Sequence, residues 1–360
     1  MTRNVRIILL AGAAAALLLA VVLSTLKRSE TARSESVTWA SIEELSRGGY
    51  GKALAFLDER ILAHPNDALL YYYRARLNYE AAEGAAALRD ADRAISLGYA
   101  QEVSHLLKGL VHGRLYGDWR MQADLASKAL VYDPMYSDGY LARAEARYAL
   151  GDYAACAQDA AAVSRLEPAS AEGWEYSLLC LAGLGDQAGA EAAGLKVLAL
   201  KPGSHAALWR LGRIYAARGQ HKRAIKDFSA AIRLSGGRAP YYLDRAASCA
   251  AEGDFSCEAW DLASAMDWKE ISSYASYYLL LGAAMHRVGE LDRGLAAADR
   301  AAALAPGAAD AYALRARLRA EAGDAAGAAK DLKRLAGLAP ERAEEAAALV
   351  KKTAGSRRAK

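Results

Sequence analysis

The chain has 360 residues, 54% of them hydrophobic, and a formal net charge of +4. So small a basic excess, with Lys and Arg interleaved among Asp and Glu rather than gathered in a stripe, argues against nucleic acid as a partner. A globular protein of this length implies about two domains, but much of the apolar content is alanine, a strong helix former that lets helices approach closely. The first element is apolar. From Val5 to Leu26 the sequence is VRIILLAGAAAALLLAVVLSTL, uncharged between Arg6 and Lys27. About twenty such residues span a bilayer core, so residues 1–26 are expected to be a transmembrane anchor or a signal peptide. The run is longer than the roughly 7–15 apolar residues of a signal peptide, and Val22-Leu23-Ser24 is its one passable cleavage site, which favours an uncleaved anchor. Arg3 and Arg6 before the span nearly balance Lys27, Arg28 and Arg33 after it. A short basic tail held in the cytoplasm puts the rest of the chain outside it, in the periplasm if the source is bacterial. Residues 27–33 read as a polar tether.

Beyond the tether one pattern repeats. In SDGYLARAEARYALGDYAACAQDAAAVSRLEP, Ser137 to Pro168, a helical run ends at Gly151-Asp152-Tyr153 and a second ends at Pro168. Gly tolerates the backbone that ends a helix and Asp can cap the next, while Pro cannot continue one. The unit is a helix–turn–helix hairpin. Gly48 to Pro65, Gly117 to Pro134, Gly185 to Pro202, Gly289 to Pro306 and Gly323 to Pro340 share its spacing, so six of the seven prolines fall on one phase. A period of roughly 34 residues marks a helical-hairpin solenoid, in which each hairpin buries its apolar face against its neighbours.

This array resembles tetratricopeptide repeats (TPR). Copies start near Ser34, Ala68, Val103, Ser137, Ala171, His205, Ala239, Ala275 and Ala309. The large first-helix residue of the family is matched by Val37, Tyr71, Leu106, Tyr140, Trp174, Leu208, Tyr242, Tyr278 and Tyr312. The small residue four later is matched by Ser41, Ala75, Leu110, Ala144, Leu178, Gly212, Ala246, Gly282 and Ala316. Second helices carry small residues such as Ala53, Ala87, Cys156, Ala190, Ala224 and Ala328. The chain departs from the family where Arg74, Arg143, Arg245 and Arg315 replace the usual Leu, where Ala82 replaces a turn glycine, and where Ser235-Gly236-Gly237 and Trp268 to Tyr274 replace proline stops. The resemblance implies an all-α fold: a right-handed solenoid of about nine hairpins over residues 34–340. A capping helix over 341–352 and a basic, disordered tail over 353–360 are expected to follow.

Chemistry is sparse. Cys156, Cys180, Cys249 and Cys257 show no C-x-x-C spacing, so a zinc site is not expected. Cys249 and Cys257 flank Gly253-Asp254 on one hairpin and could pair in an oxidising compartment; the plainer alternative makes all four small core residues. No two histidines stand three or four apart on one helix, as a metal pair requires, and His205 and His221 are expected to cap or to face solvent. No nucleophile elbow, P-loop or dinucleotide fingerprint is present. No catalytic residue, cofactor, metal or small-molecule substrate is expected.

The resemblance places a binding groove on the solvent-facing positions of the first helices, here Tyr72, Arg76, Tyr79, Glu145, Tyr148, Trp209, Arg213 and Arg317. Tyr, Trp and Arg are enriched at interface hot spots; Tyr72 and Trp209 could equally pack between hairpins. The Lys–Asn pairs with which some family members clamp a terminal carboxylate are absent: Leu141 and Glu145, Leu243 and Ala247, and Leu279 and Ala283 stand there. The expected function is a membrane-tethered scaffold that binds other proteins or peptides. The alternatives are a secreted or periplasmic repeat protein and a regulatory subunit of an envelope-assembly enzyme.

Overall fold

A computed structural model describes residues 37–266 and 273–358. The expected anchor (5–26) and tether (27–33) lie outside the described residues, and no described helix is long and apolar enough to cross a membrane. The described residues form helices and turns without strands. The chain divides at Asp186–Gln187 into two compact units, taken here in turn.

The first unit contains α1 (Trp39–Ser46), α2 (Tyr50–Ala63), α3 (Ala68–Glu80), α4 (Gly84–Ser96), α5 (Gln101–Leu110), α6 (Trp119–Tyr132), α7 (Ser137–Ala149), α8 (Tyr153–Leu166) and α9 (Ala171–Gly183). The second contains α10 (Gln187–Leu200), α11 (His205–Ala217), α12 (His221–Ser235), α13 (Ala239–Ala251), α14 (Phe255–Ala265), α15 (Ala275–Arg287), α16 (Leu291–Leu304), α17 (Ala309–Ala322), α18 (Ala325–Leu338) and α19 (Pro340–Arg358). Within each unit consecutive helices pack on one another as antiparallel pairs. Asp118, Asp152, Asp254 and Asp324 each accept a backbone N–H of the second helix they start, satisfying a donor that has no partner inside the helix.

The pairs close because small side chains meet there. Ala75, Ala144, Ala246 and Ala316 are buried, and a Cβ on Gly212 would lie 2.6 Å from the Phe228 ring. In the third copy the small residue is Gly109, whose added Cβ would meet Leu125 at 3.2 Å, and not Leu110. This first helix starts at Gln101 and runs on through a wider π-turn over Val111–Leu115. Such a turn absorbs an extra residue in a helix, which shifts the register the sequence spacing predicts. The last helix also differs from expectation: it extends through residues 353–358, expected to be disordered, because no proline interrupts it.

The arginines that depart from the family pattern have a common role. Arg245 on α13 donates to both carboxylate oxygens of Asp261 on α14, at 2.8 and 2.6 Å, and to Ser229 Oγ on α12 at 2.8 Å. Arg74 bonds Asp90 and Asp58 in the same way. Arg143 bonds Asp159 and Ser127, and Arg315 bonds Asp331 and Asp299. In all four cases the partners stand sixteen residues on either side. One planar guanidinium therefore ties three successive helices, using the fork geometry that suits a carboxylate. Each also lies over the aromatic ring three residues before it: Tyr71, Tyr140, Tyr242 and Tyr312, at 5.3 to 6.0 Å.

Those rings explain the proline phase. The hydroxyls of Tyr71, Tyr140 and Tyr312 donate to the carbonyls of Pro65, Pro134 and Pro306, and the Trp174 indole donates to that of Pro168, at 3.1 to 3.2 Å. These four stops are thereby latched to the helices that follow them. Where glycine replaces the stop, Gly236 ends α12 in the left-handed region and Pro240 occupies the first turn of α13, where its missing N–H has no intrahelical role.

Asp261 is 0% exposed, so Arg245→Leu strands a buried carboxylate and should cost about 3–5 kcal/mol, whereas Arg245→Leu with Asp261→Ala should recover most of it, as read by urea unfolding. Ala82 is an exposed non-glycine held in the left-handed region, at φ 60°. Ala82→Gly should therefore stabilise the chain by about 1 kcal/mol and raise its melting temperature.

Candidate functional site

The eight residues expected to bind a partner occupy different surroundings. Tyr72 and Tyr79 pack against Ala75, Ala91 and Leu107, and the Tyr72 ring lies 5.1 Å from that of Tyr99. Burial pushes the Tyr99 hydroxyl up to about 12 and raises that of Tyr72. Arg76 lies 3.8 Å over the Trp39 ring and contacts Glu80 at 3.4 Å. Glu145 accepts Arg114 Nε at 3.0 Å and the Gln122 amide at 3.0 Å. Burial opposes the Arg114 charge, yet the bonds to Glu145 and Tyr79 raise its pKa. The π-turn places Arg114 on this carboxylate. It also leaves room for Gln122, whose Oε1 would lie 1.8 Å from a Cβ on Gly113. Tyr148 packs beside Ala144, Cys156 and Cys180.

In the second unit, Trp209 is held on three sides. Its ring stacks on Tyr241 at 5.2 Å, its Nε1 donates to Asp244 Oδ2 at 2.6 Å, and Arg210 and Arg213 lie over it at 5.4 and 5.3 Å. Burial raises the Asp244 carboxyl against the pull of that indole. Trp209 thus contacts the first helix α13 while staying half-buried, and the Arg213 side chain is 58% exposed. His205 opens α11, and its half-buried ring meets the Tyr241 hydroxyl at 2.9 Å.

Arg317, one of the eight, lines a cavity. α15, α17 and α19 enclose a trough of 610 Å³, with Leu279, Leu280, Ala313, Leu314, Ala346 and Leu349 along its walls. The Arg342–Asp310 ion pair joins the starts of α19 and α17, and the His286–Glu321 contact of 2.5 Å joins the ends of α15 and α17. The three helices therefore run side by side in one direction. Sequence reasoning missed the leucines: Leu279 was weighed as a carboxylate-clamp position, and Leu349 sits on a helix read as a cap.

The cysteines are paired. Cys156 of α8 joins Cys180 of α9, with Cα atoms 5.8 Å apart, and Cys249 of α13 joins Cys257 of α14, at 5.9 Å. The second pair matches the sequence option; the first joins neighbouring copies, which no local spacing signals. Cys249, Cys257 and Asp261 also lie close enough together to hold a metal. Their donor atoms are committed elsewhere: the sulfurs to each other and the carboxylate to Arg245. Burial pushes Asp261 up and those bonds pull it back, while the same bonds raise Arg245.

No family model matches the chain, and no curated protein does. Solved structures are similar in form. YrrB, a TPR protein with an unusual peptide-binding site, is 21% identical over 49% of this chain and 91% of its own, with a TM-score of 0.43. A tetratricopeptide repeat protein from Parabacteroides merdae is 15% identical over 70% and 99%, with a TM-score of 0.47. The C-terminal part of a TPR repeat-containing protein from Cytophaga hutchinsonii is 17% identical over 76% and 98%, with a TM-score of 0.46. The TPR-like form of this chain rests on its own helix pairs, not on these likenesses.

Trp209 and Arg213 should separate by stability. Trp209→Phe removes the indole donor and leaves Asp244 half-buried without it, which should cost about 1–3 kcal/mol. Arg213→Ala should change the unfolding free energy by less than about 0.5 kcal/mol. Equal costs in thermal unfolding would contradict this placement.

Proposed function

We propose that this chain is a membrane-tethered interaction scaffold. Its apolar segment, residues 5–26, holds it at a membrane, and the first helices of its hairpins receive a polypeptide segment of a partner protein. No chemical step is part of its work. The observation that carries the reading is the apolar trough of 610 Å³ between α15, α17 and α19, which falls within the size range of ligand-binding clefts. Pairing of all four cysteines supports repeats that lie outside the cytoplasm, since disulfides persist in oxidising compartments such as the periplasm. Cleavage after the apolar segment would leave the same scaffold secreted or periplasmic.

A photocrosslinking residue at Ala313, inside the trough, should capture a defined protein in intact cells, and one at the exposed Arg233 of α12 should not. Identical capture from both positions, or none from either, would contradict the reading. A captured enzyme of envelope assembly would assign the chain as its regulatory subunit. Intact mass settles the tether: the scaffold stays anchored if the first two dozen residues are retained.

A further inference from the structure

The two disulfides differ in what can reach them. Cys156 and Cys180 are both closed to solvent, at 0% exposure, where α8 meets α9 of the next copy. Cys249 is equally closed. Cys257 is half-buried in the first turn of α14, where its N–H donates to the Asp254 cap at 3.0 Å. Exchange requires a thiolate to reach one sulfur of the pair, so access decides which disulfide opens and at which end. The two also differ in what they hold together. Cys249 and Cys257 stand 8 residues apart across one hairpin, whereas 24 residues separate Cys156 from Cys180. A shorter closed loop restrains the unfolded chain less. The helices that Cys249 and Cys257 join, α13 and α14, are also tied by the Arg245 fork on Asp261, so the hairpin does not depend on its disulfide.

The reduced state is provided for as well. In three copies a donor twelve residues before the buried aspartate adds a further hydrogen bond to it: Asn78 to Asp90, Arg147 to Asp159 and Arg319 to Asp331. Cys249 holds that place before Asp261. In the disulfide neither sulfur has a proton to give. As thiols both become donors, if weak ones. Both sulfurs lie within 4.8 Å of an Asp261 oxygen, and Cys257 Sγ is 3.8 Å from Oδ2. Reduction thus restores at Asp261 the further donor that the other copies keep.

We propose that Cys249–Cys257 is a thiol-exchange site, opened at Cys257 by an external dithiol reductant, while Cys156–Cys180 is a fixed link between copies. One thiolate of the dithiol bonds to Cys257 Sγ as the bond between the two cysteines breaks. The electron pair leaves on Cys249 Sγ, which takes up a proton because a buried thiolate beside Asp261 is costly. The second thiol of the reductant then attacks its own sulfur in the mixed disulfide and releases Cys257, which is protonated in turn. Two electrons pass to the chain, the dithiol becomes a disulfide, and the two protons its thiols give up to water are matched by the two that the cysteines take.

The test uses the full chain in detergent, treated with dithiothreitol for increasing times and quenched with N-ethylmaleimide. Peptide mass spectrometry then reads each cysteine. Cys249 and Cys257 should be labelled at least about tenfold faster than Cys156 and Cys180, with the helical circular dichroism unchanged. The point of attack is read from two variants that each leave one thiol of the pair. With Ellman's reagent, Cys257 in Cys249→Ser should react at least about tenfold faster than Cys249 in Cys257→Ser. A serine at either place still offers Asp261 a donor, so both variants should keep the wild-type circular dichroism, which is measured alongside. Equal opening of the two disulfides, earlier opening of Cys156–Cys180, or loss of helix as Cys249–Cys257 opens would overturn the proposal. So would a Cys249 thiol that reacts as fast as that of Cys257. The exchange is independent of what occupies the trough, so its failure leaves the scaffold reading as it stands.

Discussion

The helix pairs depend on a buried carboxylate held by an arginine from a neighbouring helix. Asp90, Asp159, Asp261 and Asp331 sit on second helices with little or no exposure. Taking such a group out of water is costly unless it is paired and fully hydrogen-bonded. The arginine meets that requirement with two parallel bonds and gives a further donor to the preceding second helix. Asp159 and Asp331 accept a further arginine, Arg147 and Arg319, one turn on, and Asp90 accepts the Asn78 amide. At the equivalent place beside Asp261 stands Cys249, bonded to Cys257. An apolar pair there would hold equally well by area alone, but a forked ion pair tolerates only one register between the helices it joins.

That register has a consequence for binding. Arginines, tyrosines and small residues that settle the packing all lie on the first helices, and they consume most of the polar reach on that side. Glu145, Trp209 and Tyr72, which a surface reading offers to a partner, are engaged by Arg114, Asp244 and Tyr99. Where the brace is complete little remains to bind with. Past Arg315 the situation changes: α19 contributes Ala346 and Leu349 beside α17, and the leucines of α15 and α17 stay partly uncovered. The site and the brace thus use opposite faces of α17: Asp310, Ala313, Leu314 and Arg317 line the trough, while Arg315 turns to Asp331 on α18.

The hairpins were legible because their punctuation is chemical. Proline stops, turn glycines and Asp caps force helix ends wherever they occur. The polar brace was also written in the sequence, as an Arg with an Asp sixteen residues later in four copies. It reads as a departure only when compared with a leucine-based pattern, since helix period and hydropathy do not reveal partners one helix away. The trough was less legible. Its residues come from three helices, and exposure of Leu280 or Leu349 is decided by which neighbour arrives to cover them. The π-turn at Val111–Leu115 and the Cys156–Cys180 pair were hidden for the same reason: both answer to contacts between copies. The Arg114–Glu145 contact was not legible either, because it joins two copies and Arg114 sits within that π-turn.

The most direct measurement is native-state hydrogen exchange of the full chain beside its Arg143→Leu variant. If each pair is held by its neighbours through these braces, protection should fall in α6, α7 and α8 and stay at wild-type values in α16 to α18. Uniform loss of protection along the whole chain, or no loss in α6 to α8, would contradict the account.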